Sequence, residues 1–191
     1  MKLVRKLVCL AVPLLFVAGA LGQPNFKHFE KDGLSFDYPW GWQVSDQSTR
    51  QMQYIQMAQD GFAEIRIRAP REWLKTPEKE AAAKKLIQDQ YVDSFVAQVE
   101  QAGMSPKRSV ATSQISGADA EGTSVRAVMG GEPGGMDAYF RIVSARLVQV
   151  SIIGSEKEIA NSTPAWDLIR RSLKVAPPAQ PKETPTPKGK P

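Results

Sequence analysis

The side chains best equipped for chemistry fall into three small groups. Arg66, Arg68 and Arg71 form a short basic strip. Guanidinium groups side by side could hold a phosphate, a carboxylated glycan or an acidic partner through paired N–H donors. Arg126 and Arg141 could reinforce the strip from neighbouring strands, although Glu64 and Glu72 offer a plainer charge balance. His28, Glu30 and Asp32 alternate, so one strand face could present three metal-type ligands. Three ligands on one edge lack a fourth partner and outer groups to orient them, so a solvated strand face ending in a turn aspartate is expected, with no bound metal. Trp40, between Pro39 and Gly41, and Trp73, in the loop 71–74, are placed by no hydrophobic period. Tryptophan and arginine are frequent binding anchors, so Trp40 or Trp73 could mark a ligand or partner surface. Phe36, Tyr38 and Trp42 could line an aromatic cradle, but large aromatics on alternating positions are expected in the core.

Catalytic equipment is sparse. The chain has 1 His and 1 Cys, which excludes a thiol pair and any chemistry needing two imidazoles. No GxSxG surrounds a serine. The segment 130–135 is glycine-rich, yet it carries neither the Lys-Ser/Thr of a phosphate-binding loop nor GxGxxG spacing. No cofactor is expected. A hydrolase built on two converging carboxylates stays open as an alternative, though nothing in the sequence selects the pair.

Charge and cysteine both concentrate at the ends. The 191 residues include 25 Lys+Arg and 20 Asp+Glu. Residues 1–22 read as a signal peptide, with Lys2, Arg5 and Lys6 before an apolar run from Leu7 to Ala20 and small-residue cleavage sites after Ala20 or Gly22. The apolar run is shorter than the ~20 residues that span a bilayer. The apolar stretch largely follows Cys9 rather than preceding it, so a lipoprotein anchor is not expected. Residues 176–191 are rich in Pro and Lys and read as a disordered tail. Between them, 23–175 holds equal numbers of basic and acidic residues. The overall +5 is therefore no sign of a basic domain face, and nucleic acid is not an expected partner. The expectation is a secreted or periplasmic domain with no membrane span in the mature chain, monomeric by default.

The elements that must position these residues follow from period and punctuation. Residues 26–38 read as a hairpin turning at Lys31-Asp32-Gly33. Gln51–Ala58 and Ala63–Arg68 read as a second, around Gln59-Asp60-Gly61. Thr76-Pro77-Glu78 starts a long helix running to about Gln101, with Gly103 as its stop. Ser109–Ile115 reads as an edge strand. Gly122–Met129 and Met136–Ser144 are strands joined by a flexible loop over 130–135, and Leu147–Ile153 is apolar on both faces, hence central and covered twice. Thr163-Pro164 starts a short helix over Ala165–Ser172. Strands, long helix, strands, short helix is not βαβ alternation. It predicts an α+β fold, an antiparallel sheet with helices on its faces.

The run Phe36-Asp37-Tyr38-Pro39-Trp40-Gly41-Trp42-Gln43-Val44 resembles the sF-x-YP-x-GW-x-V signature of PsbP/Mog-like domains. The strand Arg146–Ile152 and the ending Ile169-Arg170-Arg171-Ser172-Leu173-Lys174-Val175 are similar to later family segments, so the likeness spans nearly all of 26–175. The resemblance implies an α-β-α sandwich around a central antiparallel sheet. It also implies, as in most characterised members, action by binding other proteins. The functional expectation is an exported binding module for a protein or cell-envelope component. A small-molecule or lipid carrier with a pocket near Tyr91 and Phe95 is the first alternative, and a structural envelope role another.

Overall fold

The computed structural model describes residues 25–176. The expected signal peptide and the tail beyond 176 lie outside them. Strands β1 (Phe26–Lys31) and β2 (Leu34–Pro39) form the first expected hairpin, and β10 (Lys174–Val175) joins β2 to complete a three-stranded sheet. The remaining strands are β3 (Gln43–Asp46), β4 (Met52–Ala58), β5 (Glu64–Pro70), β6 (Lys107–Ile115), β7 (Ala118–Met129), β8 (Glu132–Val143) and β9 (Arg146–Ser155). They form one antiparallel seven-stranded sheet in the order β3-β4-β5-β9-β8-β7-β6. The α+β expectation holds, and β6 is the edge strand anticipated.

β9 is central, and every residue from Arg146 to Ile152 is buried. On one face Val148, Val150 and Ile152 join Ile55 and Met57 of β4 and Ile65 and Ile67 of β5. Leu34 and Phe36 of β2 and Trp166 and Ile169 of α3 (Glu156–Ser172) close over them in the same cluster. Phe36 and Trp42 are thus core residues rather than a ligand cradle. On the other face runs the long helical segment: α1 (Pro77–Lys84), a π-helical turn (Lys85–Asp89) and α2 (Gln90–Gln101). Thr76 caps it as expected, its hydroxyl accepting from the Lys79 N–H. The π-turn was not foreseen.

Two expectations need correction. The second helix is not short and does not begin at Thr163-Pro164. It starts at Glu156, where Ser155 and Glu158 exchange side-chain and backbone hydrogen bonds in a capping box. Pro164 sits inside it, where the carbonyl left without a donor, that of Ala160, belongs to an exposed residue that water can reach. The second correction is the loop over 130–135. Only Gly130 and Gly131 turn the chain, both at positive φ, and Glu132–Gly135 already belongs to β8. Gly135 is required there by crowding, since an added Cβ would lie 1.9 Å from the Val125 carbonyl oxygen.

Arg146 is buried at the start of β9 and, among the described residues, has no carboxylate partner. Its guanidinium donates to Gln53 Oε1 at 2.5 Å and to the carbonyls of Ala69 and Pro70, while Gln53 Nε2 donates to the Lys31 carbonyl. The node ties both sheets together at one end. Burial, and then the nearby Arg71 charge, pull the Arg146 pKa below the ordinary arginine value.

Gly135→Ala should destabilise the fold by about 3 kcal/mol or more, because backbone rather than a mobile side chain must yield; urea unfolding of the two proteins measures it. A second outcome concerns pH. Lys31, and then Ser48, hold the Asp46 carboxyl at about 2, below its ordinary 3.8. The stability this contributes is present above pH 4 and is lost as pH falls towards 2. Asp46→Asn should therefore show a lower urea midpoint at pH 7 and a shallower fall between pH 4 and pH 2 than the parent.

Candidate functional site

The helix-side face of the large sheet has two unlike halves. Over β8 and β7 it is apolar: Val92, Phe95 and Val96 of α2 pack on Val125, Met136 and Ala138. Over β4 and β5 it is polar, because Tyr54, Gln56, Glu64, Arg66 and Arg68 alternate outward from the buried isoleucines. Register places Tyr54, Arg68 and Gln149 in one row across β4, β5 and β9, and Gln56, Arg66 and Ser151 in the next.

Arg66 is fully engaged. Its Nε donates to the Glu64 carboxylate and its Nη1 to the Tyr91 hydroxyl at 3.2 Å, which lies 3.3 Å from Ser151 Oγ. Burial opposes its charge, but Glu64 and Tyr91 outweigh burial and hold its pKa above the ordinary arginine value. Arg68 is different. Its guanidinium carbon lies 3.6 Å from the Tyr91 ring centroid and 4.6 Å from that of Tyr54. Among the described residues it has no carboxylate and no hydrogen-bond partner, and its Nη1 is buried and unpaired. Beside it, Gln149 is 1% exposed, and both its amide oxygen and nitrogen lack partners. A buried amide left unpaired costs about 1–3 kcal/mol.

Arg68 and Tyr91 line a cleft of about 280 Å³ together with Met52, Leu86, Ile87, Gln90 and Ser94. The π-turn supplies its Leu86 and Ile87, and Leu86 is 55% exposed. The cleft presents a flat cation clamped between two tyrosine rings, which suits an anionic or acceptor-rich group.

The expected basic strip is divided. Arg66 and Arg68 share the face, but Arg71 lies beyond the strand and pairs with Asp32 at 2.7 Å. Arg126 and Arg141 do not reinforce it. They alternate onto the opposite face, with Asp137 and Tyr139, where Arg126 pairs with Asp137 and Arg141 donates to the Ile115 carbonyl. Trp40 is 58% exposed in the three-stranded layer, with Lys27 Nζ 4.4 Å from its ring centroid, away from Arg68. Trp73 is half-buried and does not line the cleft. His28 bonds Asp37 at 2.6 Å and approaches Glu30 at 3.8 Å, whereas Asp32 is taken by Arg71, so the three alternating acceptors are not brought together. Among the described residues no three His, Cys, Asp or Glu side chains group to hold a metal, and no helix is long and apolar enough to cross a membrane.

The backbone aligns with the solution structure of cyanobacterial PsbP from Synechocystis at a TM-score of 0.52 and 14% identity, over 85% of this chain and 99% of that one. The fold is PsbP-like. A Bacteroides thetaiotaomicron crystal structure aligns at a TM-score of 0.51 and 12% identity, over 80% of this chain and 49% of that one, so this chain spans about half its length. No protein-family model and no curated protein matches the sequence. Within the PsbP-like frame, Tyr54 and Gln149 are the site residues that sequence reasoning missed, and Tyr91, expected beside a carrier pocket, stacks on Arg68 instead. One signal was available: Gln149 and Ser151 interrupt an otherwise apolar β9, opposite Arg66 and Arg68.

Gln149→Leu removes two unpaired polar atoms at similar volume. It should raise stability by about 1–2 kcal/mol, read as a higher urea midpoint. An unchanged or lower midpoint would show that Gln149 is already satisfied.

Proposed function

We propose that this chain is an exported, non-catalytic binding module that recognises a protein or cell-envelope component through the Arg68 cleft. The observation that carries the reading is the Arg68 guanidinium, clamped between Tyr54 and Tyr91 with no counter-charge and an unpaired buried amide beside it. Tyrosine and arginine in a partly desolvated setting are the residue types that dominate protein interfaces. The filled contact of Val92, Phe95 and Val96 with the sheet supports surface recognition over a carrier with an internal cavity. Export is supported by the basic-then-apolar pattern of residues 1–22.

The test is crosslinking capture from the cell envelope with the full chain. Arg68→Ala combined with Tyr91→Ala should reduce recovery of captured partners about tenfold or more. Trp40→Ala combined with Trp73→Ala should leave recovery unchanged. The reverse pattern would move recognition to the tryptophans and overturn the assignment.

A further inference from the structure

The Arg68 cleft does not end at Leu86 and Ile87. On their other side lies a second cleft of about 300 Å³, walled by Pro70, Leu74, Ala82 and Ala83 and by the same Leu86 and Ile87. Its two charged residues, Glu72 and Lys79, pair with each other at 3.0 Å, so it offers an apolar surface with no net charge. The two clefts share Leu86 and Ile87 as a common wall, one apolar and one carrying a single uncompensated cation, and an occupant that crosses that wall would fill both as the arms of one groove.

We propose that this groove takes an extended segment of a partner polypeptide that carries an apolar side chain and a carboxylate, the first seated among Leu74, Leu86 and Ile87, the second on Arg68. The inference rests on the recognition site assigned above and names what that site takes. Three observations select this occupant. The charge calls for one negative group: Arg66 is already neutralised by Glu64, which leaves Arg68 as a single uncompensated cation that balances a monoanion but not a dianion such as a phosphate monoester. A carboxylate matches the planar edge of one guanidinium. The groove is open, with Leu86 of its shared wall more than half exposed. A small amphiphile would leave much of its surface wet, unlike ligands in enclosed pockets, whereas a polypeptide brings its own bulk to cover the rim.

The helix also sets the spacing. From Ala83 in the apolar arm to Tyr91 in the polar arm is eight positions, at most about 12 Å, the α-helical value, because the wider π-turn between them rises less per residue. An extended strand covers that in roughly three to four residues. The motif expected is therefore a Leu, Ile, Met or Phe about three or four positions from an Asp or Glu.

Phage-displayed random peptides selected on the full chain test this. Enriched sequences should carry that pair at that spacing. For a synthetic copy of the best peptide, changing its acidic residue to the amide should weaken binding about tenfold by fluorescence anisotropy. With Arg68→Gln the acidic peptide and its amide version should bind equally, while Leu86→Asp should abolish binding of both. Urea midpoints of the variants confirm that each is folded. Peptides that enrich without an acidic residue, or an acid preference that survives Arg68→Gln, overturn the proposed chemistry. If such peptides still lose binding with Arg68→Ala and Tyr91→Ala together, the recognition site stands and only its partner chemistry fails. Failure to enrich any peptide, or enrichment unaffected by all these variants, also overturns the proposal. So does tight binding of decanoate that no selected peptide displaces, which would make the occupant a small amphiphile.

Discussion

A strand that carries apolar residues on both faces cannot rest against water on either, and β9 is such a strand. Its central place follows, with β5 on one side and β8 on the other. So does the three-layer build. One cover is assembled from α3 and the small β1-β2-β10 sheet, the other from the helical segment between β5 and β6. A single helix is about 10 Å wide and cannot cover seven strands spaced ~4.8 Å apart. It therefore settles over the apolar residues of β9, β8 and β7, and the matching face of β4 and β5 stays polar and partly open. The recognition groove is the seam where that cover ends.

Two buried polar centres show how differently the fold treats such groups. Around Arg146 the Nε and Nη2 donors end on oxygens, from Gln53 or from the carbonyls of Ala69 and Pro70. The centre is structural and ties the two sheets together. Around Arg68 and Gln149 the neighbours supply aromatic faces and alkyl groups but no matching donors or acceptors. The contrast lies within one sheet, between positions a few residues apart on β5 and β9. Three of the four unpaired buried side-chain atoms among the described residues thus belong to Arg68 and Gln149, near the open groove, and the fourth is Arg170 Nε on α3.

Much of the fold was legible because its signals are local. Asp32-Gly33, Gln59-Asp60-Gly61 and Thr76-Pro77 announce turns and a cap through the conformations those residues favour. The twofold apolar character of β9 announces its burial. The misreadings have equally local causes. Thr163-Pro164 imitates a helix start, yet the true start is Ser155 with Glu158, three residues apart in the same stretch. Gly135 looks like a loop residue, but its missing side chain answers to crowding within a ladder. The site was the least legible part. Arg68 could be named from its strand, but Tyr54, Tyr91 and Gln149 come from three other elements, and only the register of β4, β5 and β9 and the position of α2 bring them to it.

The π-turn at Lys85–Asp89 has a bearing on how this groove could have arisen. A π-turn holds one residue more than the α-helical path it replaces, so it absorbs an insertion without lengthening the helix much. Each residue advances an α-helix by about 100°. Without the extra residue, α1 and α2 could not both keep their present azimuths, and either Ala83 or Tyr91 would swing away from the sheet. The insertion acts as a phase correction between two half-helices: α2 keeps Val92 and Val99 in the core, α1 keeps Ala83 on the apolar arm, and the turn itself sets Leu86 where both arms of the groove meet. A one-residue deletion in this stretch would restore a regular helix at the expense of that alignment, which makes 85–89 a compact place for related chains to gain or lose the groove while the sheet beneath stays the same.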